Sequence, residues 1–185
     1  MTTALVIIDL QNAILAGMAP PERQREIDAA LDATVARVAG VQARARDAGA
    51  LIVVVQHDDV AGHRLQTGTE GHRLRQEILP KSGETTVHKT ACDAFYGTEL
   101  HDVLTANGVD HLVIGGCMTQ FCVDTSVRRA MSLGYDVTLL SDGHATADMG
   151  ALTYEQIIAH HNTLLSGFDA GPRRVTLKAC ADVAF

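Results

Sequence analysis

Short runs of continuous apolar residues, each separated from the next by a stretch with helical spacing, constrain this chain more than any other feature. ALVII (4–8), LIVVV (51–55), HLVIG (111–115) and DVTLL (136–140) are the clear runs; TTVHK (85–89) and RVTL (174–177) are weaker ones. A strand with one wet face alternates apolar and polar residues. A strand covered on both faces does not, and the continuous pattern belongs to parallel sheets. Between the runs, Ile27, Leu31, Val35, Val38, Val41 and Ala45 step by three or four residues along one helix face, and Gly49 supplies a left-handed stop. Thr98 is placed to cap a second helix carrying Leu100, Val103 and Leu104, ended by Gly108. Val123, Val127 and Ala130 line a third, stopped near Gly134. TYEQ (153–156) is a capping box that opens a fourth helix through Ile157, His161 and Leu164. Parallel neighbours require crossover connections, so this alternation predicts an α/β fold: three layers, doubly wound, with a six-stranded mostly parallel sheet flanked by helices.

The 185 residues, 46% of them hydrophobic, suffice for one substantial core, and no linker, repeat or low-complexity tract divides them. One domain over residues 1–185 is expected. The net charge of −7 carries no basic run, which removes the counterion-release term behind nucleic-acid binding. No segment approaches the roughly 18 apolar residues needed to span a bilayer, and Met1 leads into the first strand without a charged leader, so no membrane contact and a cytoplasmic location are expected. The four cysteines are read as free thiols.

Three polar residues lie at or just beyond predicted strand ends: Asp9 after ALVII, Lys89 closing TTVHK, and Cys122 beyond HLVIGG and a short turn. Parallel strands share one carboxyl edge, so these three can converge there. Cys122 falls where a helix should begin, and the free N–H groups and dipole of a first turn favour thiolate, as would the Lys89 ammonium. Asp9 can take the thiol proton and later help water attack a thioester. The Cys122 N–H and one from the preceding turn can form an oxyanion hole. A plain structural reading stands beside this one, with the cysteine as a small buried hydrophobe, Asp9 as a turn cap and Lys89 solvated. Position alone leaves both open. Ile14, His57, Phe95, Tyr96 and Phe121 are candidates to line a pocket, although aromatic residues beside a helix start serve equally as core. Residues 57–83, rich in Gly, His and Thr, are expected to wall that pocket. Cys92, Cys117 and the His160-His161-Asn162 run are read as packing or contact residues.

IIDLQN (7–12), VHKTACDAFYGTEL (87–100) and GGCMTQFCVDTSVRRA (115–130) resemble the three signature segments of the isochorismatase-like cysteine hydrolases, in the right order and across nearly the whole chain. The spacing G-x-x-T-x-x-C-V in the last of them is specific. The resemblance implies an Asp-Lys-Cys triad, here Asp9, Lys89 and Cys122. It also implies a non-proline cis peptide between Cys117 and Met118, and an oxyanion hole from the Met118 and Cys122 N–H groups. The implied activity is hydrolysis of a C–N bond in a small amide, ureide or lactam through an acyl-enzyme thioester, by a homodimer or homotetramer without NAD or flavin. Relatives of this general type use nicotinamide, carbamoyl amines, biuret-like ureides and lactams such as streptothricin, and the sequence does not choose among them.

Two alternatives accompany that reading. Some family members hydrolyse the vinyl ether of isochorismate without a cysteine, and a silent domain could keep the fold for binding; an intact Asp9, Lys89 and Cys122 weigh against both. Nicotinamidases of the family hold a metal through an Asp-x-His pair after the second strand. Here that stretch reads Gln56-His57-Asp58-Asp59, with His57 and Asp59 in reversed order and only His63 or His72 to complete a set. No metal is expected.

Overall fold

The computed structural model describes Met1–Phe185. The strands are β1 (Thr3–Ile8), β2 (Leu51–His57), β3 (Thr85–Lys89), β4 (His111–Cys117), β5 (Asp136–Ala145), β6 (Asp169–Ala170) and β7 (Arg173–Lys178). The helices are α1 (Pro21–Asp47), α2 (Leu100–Ala106), α3 (Asp124–Ser132) and α4 (Tyr154–Leu165). One sheet takes the order β3-β2-β1-β4-β5-β7-β6. All neighbours are parallel except β6 and β7. The sheet therefore has seven strands where six were expected. The extra one is a two-residue antiparallel segment, too short to show a period.

The apolar runs are continuous because successive residues enter different cores. Leu5 and Ile7 of β1 pack with Ile27, Leu31, Val35 and Val38 of α1, whereas Ala4, Val6 and Ile8 pack with Leu100 and Leu104 of α2 and Val127 and Ala130 of α3. Burying each such side chain stabilises the fold by about 1.5–3 kcal/mol before entropy is counted, and this two-faced burial forces the helices onto both sides of the sheet. Every stripe residue predicted for α1 is buried. On α4 the capping box of Thr153 and Gln156 is formed, but the stripe shifts: Leu165 is buried and Leu164 is 46% exposed. The fifth strand runs through Ala145, beyond the predicted DVTLL, because a register shift lets it resume beside β4 after the turn-like SDG.

The order of the strands fixes where chemistry can occur. The chain begins near the centre at β1, moves outward through β2 and β3, then returns to place β4 on the other flank of β1. The carboxyl ends of β1 and β4 thus border the point where winding reverses, the crevice that open parallel sheets offer to ligands. Gly116 lets the two ends close up. Its φ is +134°, and a Cβ there would lie 2.0 Å from the Ile8 carbonyl oxygen, so only glycine fits.

Candidate active site

Asp9, Lys89 and Cys122 meet at this crevice. Asp9 follows β1 with φ +51°, Lys89 is the last residue of β3, and Cys122 lies five residues past β4. Lys89 Nζ is 2.6 Å from Asp9 Oδ2 and 3.3 Å from Cys122 Sγ, and the side chains of the ion pair are wholly buried. Lys89 also donates to the Ala91 carbonyl at 2.9 Å and approaches His57 Nδ1 at 3.0 Å. An ammonium can only donate, so Nδ1 accepts and the His57 proton sits on Nε2. Neither Asp9 oxygen accepts an aligned hydrogen bond, which leaves the carboxylate available as a base with its donor atoms within 4.8 Å of those of Cys122 and His57.

Burial raises the Asp9 pKa above its ordinary 3.8, with the Lys89 ammonium opposing. Burial alone would lower Lys89, but the Asp9 carboxylate and the Cys122 sulfur outweigh it and the net direction is up. The Cys122 thiol is also pushed up, first by burial and then by the Asp9 charge, against the pull of Lys89. Burial and the Asp9 charge thus oppose the thiolate expected from the first helical turn and Lys89. Cys122 sits in a wide first helical turn, Thr119–Val123, closed by a bond from the Asp124 N–H back to the Thr119 carbonyl and continuous with α3.

The peptide between Cys117 and Met118 is cis, at the position the resemblance implies. The Met118 carbonyl accepts from the Phe121 and Val123 N–H groups at 3.1 and 3.2 Å, while its own N–H donates to nothing in the chain. A cavity of about 220 Å³ opens onto Cys122 and Asp9, and Ile14, His57 and Phe121 are among the residues that line it. Phe95 and Tyr96 do not. Phe95 is buried and stacks on Tyr135 with centroids 6.2 Å apart, and Tyr96 is 73% exposed. Both lie beyond a tight loop that carries the chain away from the site after Ala91. The cavity wall instead includes Met18, Asp59, His63, Arg64 and Leu65. Of residues 57–83 only the first third walls it, and residues between Glu70 and Pro80 border an open groove of about 770 Å³ beside β3 that contains none of the three central residues. Cys92, read as a packing residue, is exposed at the cavity rim.

Two sets of donor atoms converge closely enough for a metal. Asp9, His57 and Cys122 form the first, but the Lys89 ammonium lies 2.6, 3.0 and 3.3 Å from their donor atoms and holds the place and the charge an ion would take. Asp58, His72 and His88 form the second. There, His72 Nδ1 faces the Gln56 amide nitrogen at 3.2 Å and the Gly68 N–H at 3.4 Å, so the ring proton is assigned to Nε2 and points at Asp58 Oδ1, 2.6 Å away. A ligating Nε2 would need that lone pair free and its other nitrogen donating. The first set, with the Lys89 ammonium in place, does not fit a metal, and in the second the ring nitrogens of His72 are engaged by Asp58, Gln56 and Gly68. Asp59 Oδ2 lies 2.8 Å from His63 Nδ1 and 3.5 Å from His57 Nε2, so the reversed His57 and Asp59 do come together with His63.

The fold and site define a hydrolase-type α/β chain with a buried Asp-Lys-Cys contact, and comparison with known proteins gives its family. The Isochorismatase domain profile matches residues 3–163, and the chain belongs to the isochorismatase family. A crystal structure described as an isochorismatase family protein superimposes with a TM-score of 0.79 at 34% identity, covering 96% of this chain and 98% of its own. A streptothricin hydrolase of Streptomyces noursei is 38% identical over 149 residues, 80% of this chain and 51% of the relative. A ureidoacrylate amidohydrolase of Variovorax paradoxus is 28% identical over 83% of this chain and 72% of its own length. The chain spans about half the length of the two streptothricin hydrolases it matches. No helix is long and apolar enough to cross a membrane.

Proposed function

We propose that this chain hydrolyses a C–N bond of a small amide, ureide or lactam through a thioester on Cys122. The observation that carries the reading is the sealed contact in which one ammonium, Lys89 Nζ, lies 2.6 Å from a carboxylate and 3.3 Å from a thiol at a cavity mouth. The names of the relatives, a streptothricin hydrolase and a ureidoacrylate amidohydrolase, point the same way.

In this mechanism the Cys122 proton passes to Asp9 as the sulfur attacks the carbonyl carbon. Lys89 balances the charge on sulfur, and the Met118 and Cys122 N–H groups receive the oxyanion. The tetrahedral species collapses, the C–N bond breaks, and the nitrogen leaves with the proton held by Asp9. Asp9, again a carboxylate, then deprotonates the water that attacks the thioester, and the thiol is restored. Screening a panel of small amides, ureides and lactams for ammonia release or ring opening, with intact-mass detection of an acyl adduct, tests the assignment. Turnover with no adduct traceable to Cys122 counts against it.

Asp9 must be ionised to act, and its pKa lies above 3.8, so kcat/KM should rise with pH along a limb placed above 3.8. Lys89 is held above its ordinary 10.5, so activity should persist until the pH exceeds that value. A pH–rate profile with its acid limb at or below 3.8, or a collapse near pH 8, contradicts these roles.

Because the Lys89 ammonium occupies the donor set at Cys122, dialysis against a strong chelator should leave the rate unchanged. Elemental analysis should find no stoichiometric zinc, iron or manganese. A rate lost on chelation and restored by a single metal would overturn this.

A further inference from the structure

Thr119, the residue after Met118, is 1% exposed, and its hydroxyl lies 2.9 Å from Nδ1 of His144 on β5. The other ring nitrogen of His144 lies 3.0 Å from Oδ1 of Asn162 on α4. Asn162 Nδ2 donates to the Ser141 carbonyl at 2.8 Å, which fixes the orientation of that amide. The chain of bonds then has one solution. Asn162 Oδ1 must accept, so His144 Nε2 carries the hydrogen; His144 Nδ1 must accept, so the Thr119 hydroxyl donates. His144 is 1% exposed, and burial holds its pKa down, which keeps the ring neutral and this direction fixed.

Its inner end is the first residue of the turn that carries Cys122. The turn is already closed on itself by the Phe121 and Val123 N–H groups, and the Thr119 side chain is the hydrogen bond that ties its start to the neighbouring strand. We propose that the Asn162–His144–Thr119 chain is a positioning device for hydrolysis, holding the turn so that the Met118 and Cys122 N–H groups converge on the oxyanion. The proposal rests on the reading of Cys122 as nucleophile. His144 and Asn162 touch neither substrate nor the reacting atoms, and they act through Thr119. Sub-ångström misplacement of an oxyanion donor is costly in rate, whereas a reaction that forms no oxyanion is indifferent to it.

Two reagents separate these cases at the same sulfur. With p-nitrophenyl acetate the S–C bond forms, the ester C–O bond breaks through a tetrahedral oxyanion, nitrophenolate leaves with the electron pair, and the thiol proton goes to Asp9. With iodoacetamide the S–C bond forms and iodide leaves, and no oxyanion arises. Both products are followed at Cys122 by peptide mass mapping. In Thr119→Val and Asn162→Ala, acetylation should fall at least about tenfold while alkylation stays within about threefold of the unmutated chain. Thr119→Ser, which keeps the hydroxyl, should retain both rates. The double variant should be little slower than Thr119→Val alone, because one chain is cut twice. Parallel loss of both reactions would reduce the network to packing and overturn the proposal, as would unchanged acetylation. If Cys122 of the unmutated chain is alkylated but never acetylated, the nucleophile assignment itself fails and this proposal with it.

Discussion

Cys122→Ala should lower turnover by at least about 10⁴-fold and leave no acyl adduct on the protein, while the chain keeps its fold. The side chain is small and 8% exposed, so the truncation removes one sulfur from the edge of a core and little else. Loss of a covalent nucleophile removes the whole two-step route, and the remaining donors and binding contacts account only for residual catalysis. Asp9→Asn should lose activity to a similar extent, since it eliminates the acceptor for the thiol proton and the base for water. Because the residues act as one unit, combining the two changes should cost little more than either alone. Steady-state rates on the best amide of the panel, with circular dichroism to verify the fold, decide the matter. Appreciable hydrolysis by Cys122→Ala would exclude the thioester route.

The second large effect is on stability. Lys89→Met should destabilise the fold by about 3–5 kcal/mol, because it leaves Asp9 buried at 0% exposure with no countercharge. The pH dependence has a definite sign. Asp9 already has a folded-state pKa above its ordinary 3.8, so the folded state binds more protons between those values and stability falls as pH rises through that window. Removing Lys89 removes an interaction that lowers the Asp9 pKa, which widens the window upward and deepens the loss at neutral pH. Urea unfolding at pH 5 and pH 8 should show the deficit of Lys89→Met growing with pH, and Asp9→Asn/Lys89→Met should recover part of it. A Lys89→Met deficit that is small and independent of pH would mean that the pair is not desolvated as described.

How much of this was legible in the residues follows from the range of the interactions involved. The strands and α1 to α4 announce themselves through local periodicity, and the convergence of Asp9, Lys89 and Cys122 follows from the shared carboxyl edge of a parallel sheet. Contacts set by chain direction beyond a tight loop are not local. Phe95 and Tyr96 adjoin Lys89 in sequence, yet the bend after Ala91 delivers Phe95 to Tyr135 and Tyr96 to solvent. Met18, His63 and Arg64 reach the cavity from segments whose path has no period to read. The direction of the Cys122 pKa is the sum of opposed contributions, and the depth of burial that decides the sum is a property of the assembled fold. Thr119, His144 and Asn162 lie 25 and 18 residues apart and gave no signal before β5 and α4 were placed beside the turn.

An ammonium has three hydrogens, and Lys89 Nζ faces four acceptors: Asp9, the Ala91 carbonyl, His57 Nδ1 and Cys122 Sγ. One of them always goes without. The three hydrogens turn as one rigid group, so an orientation that aims one at the sulfur also shifts the other two relative to Asp9, the Ala91 carbonyl and His57. While sulfur keeps its own proton it is a poor acceptor. An anionic sulfur is the stronger acceptor, and turning the ammonium toward it changes all of its contacts at once. Lys89 is therefore a donor shared among carboxylate, carbonyl, imidazole and sulfur, and a change in charge at any one of them alters its hold on the other three.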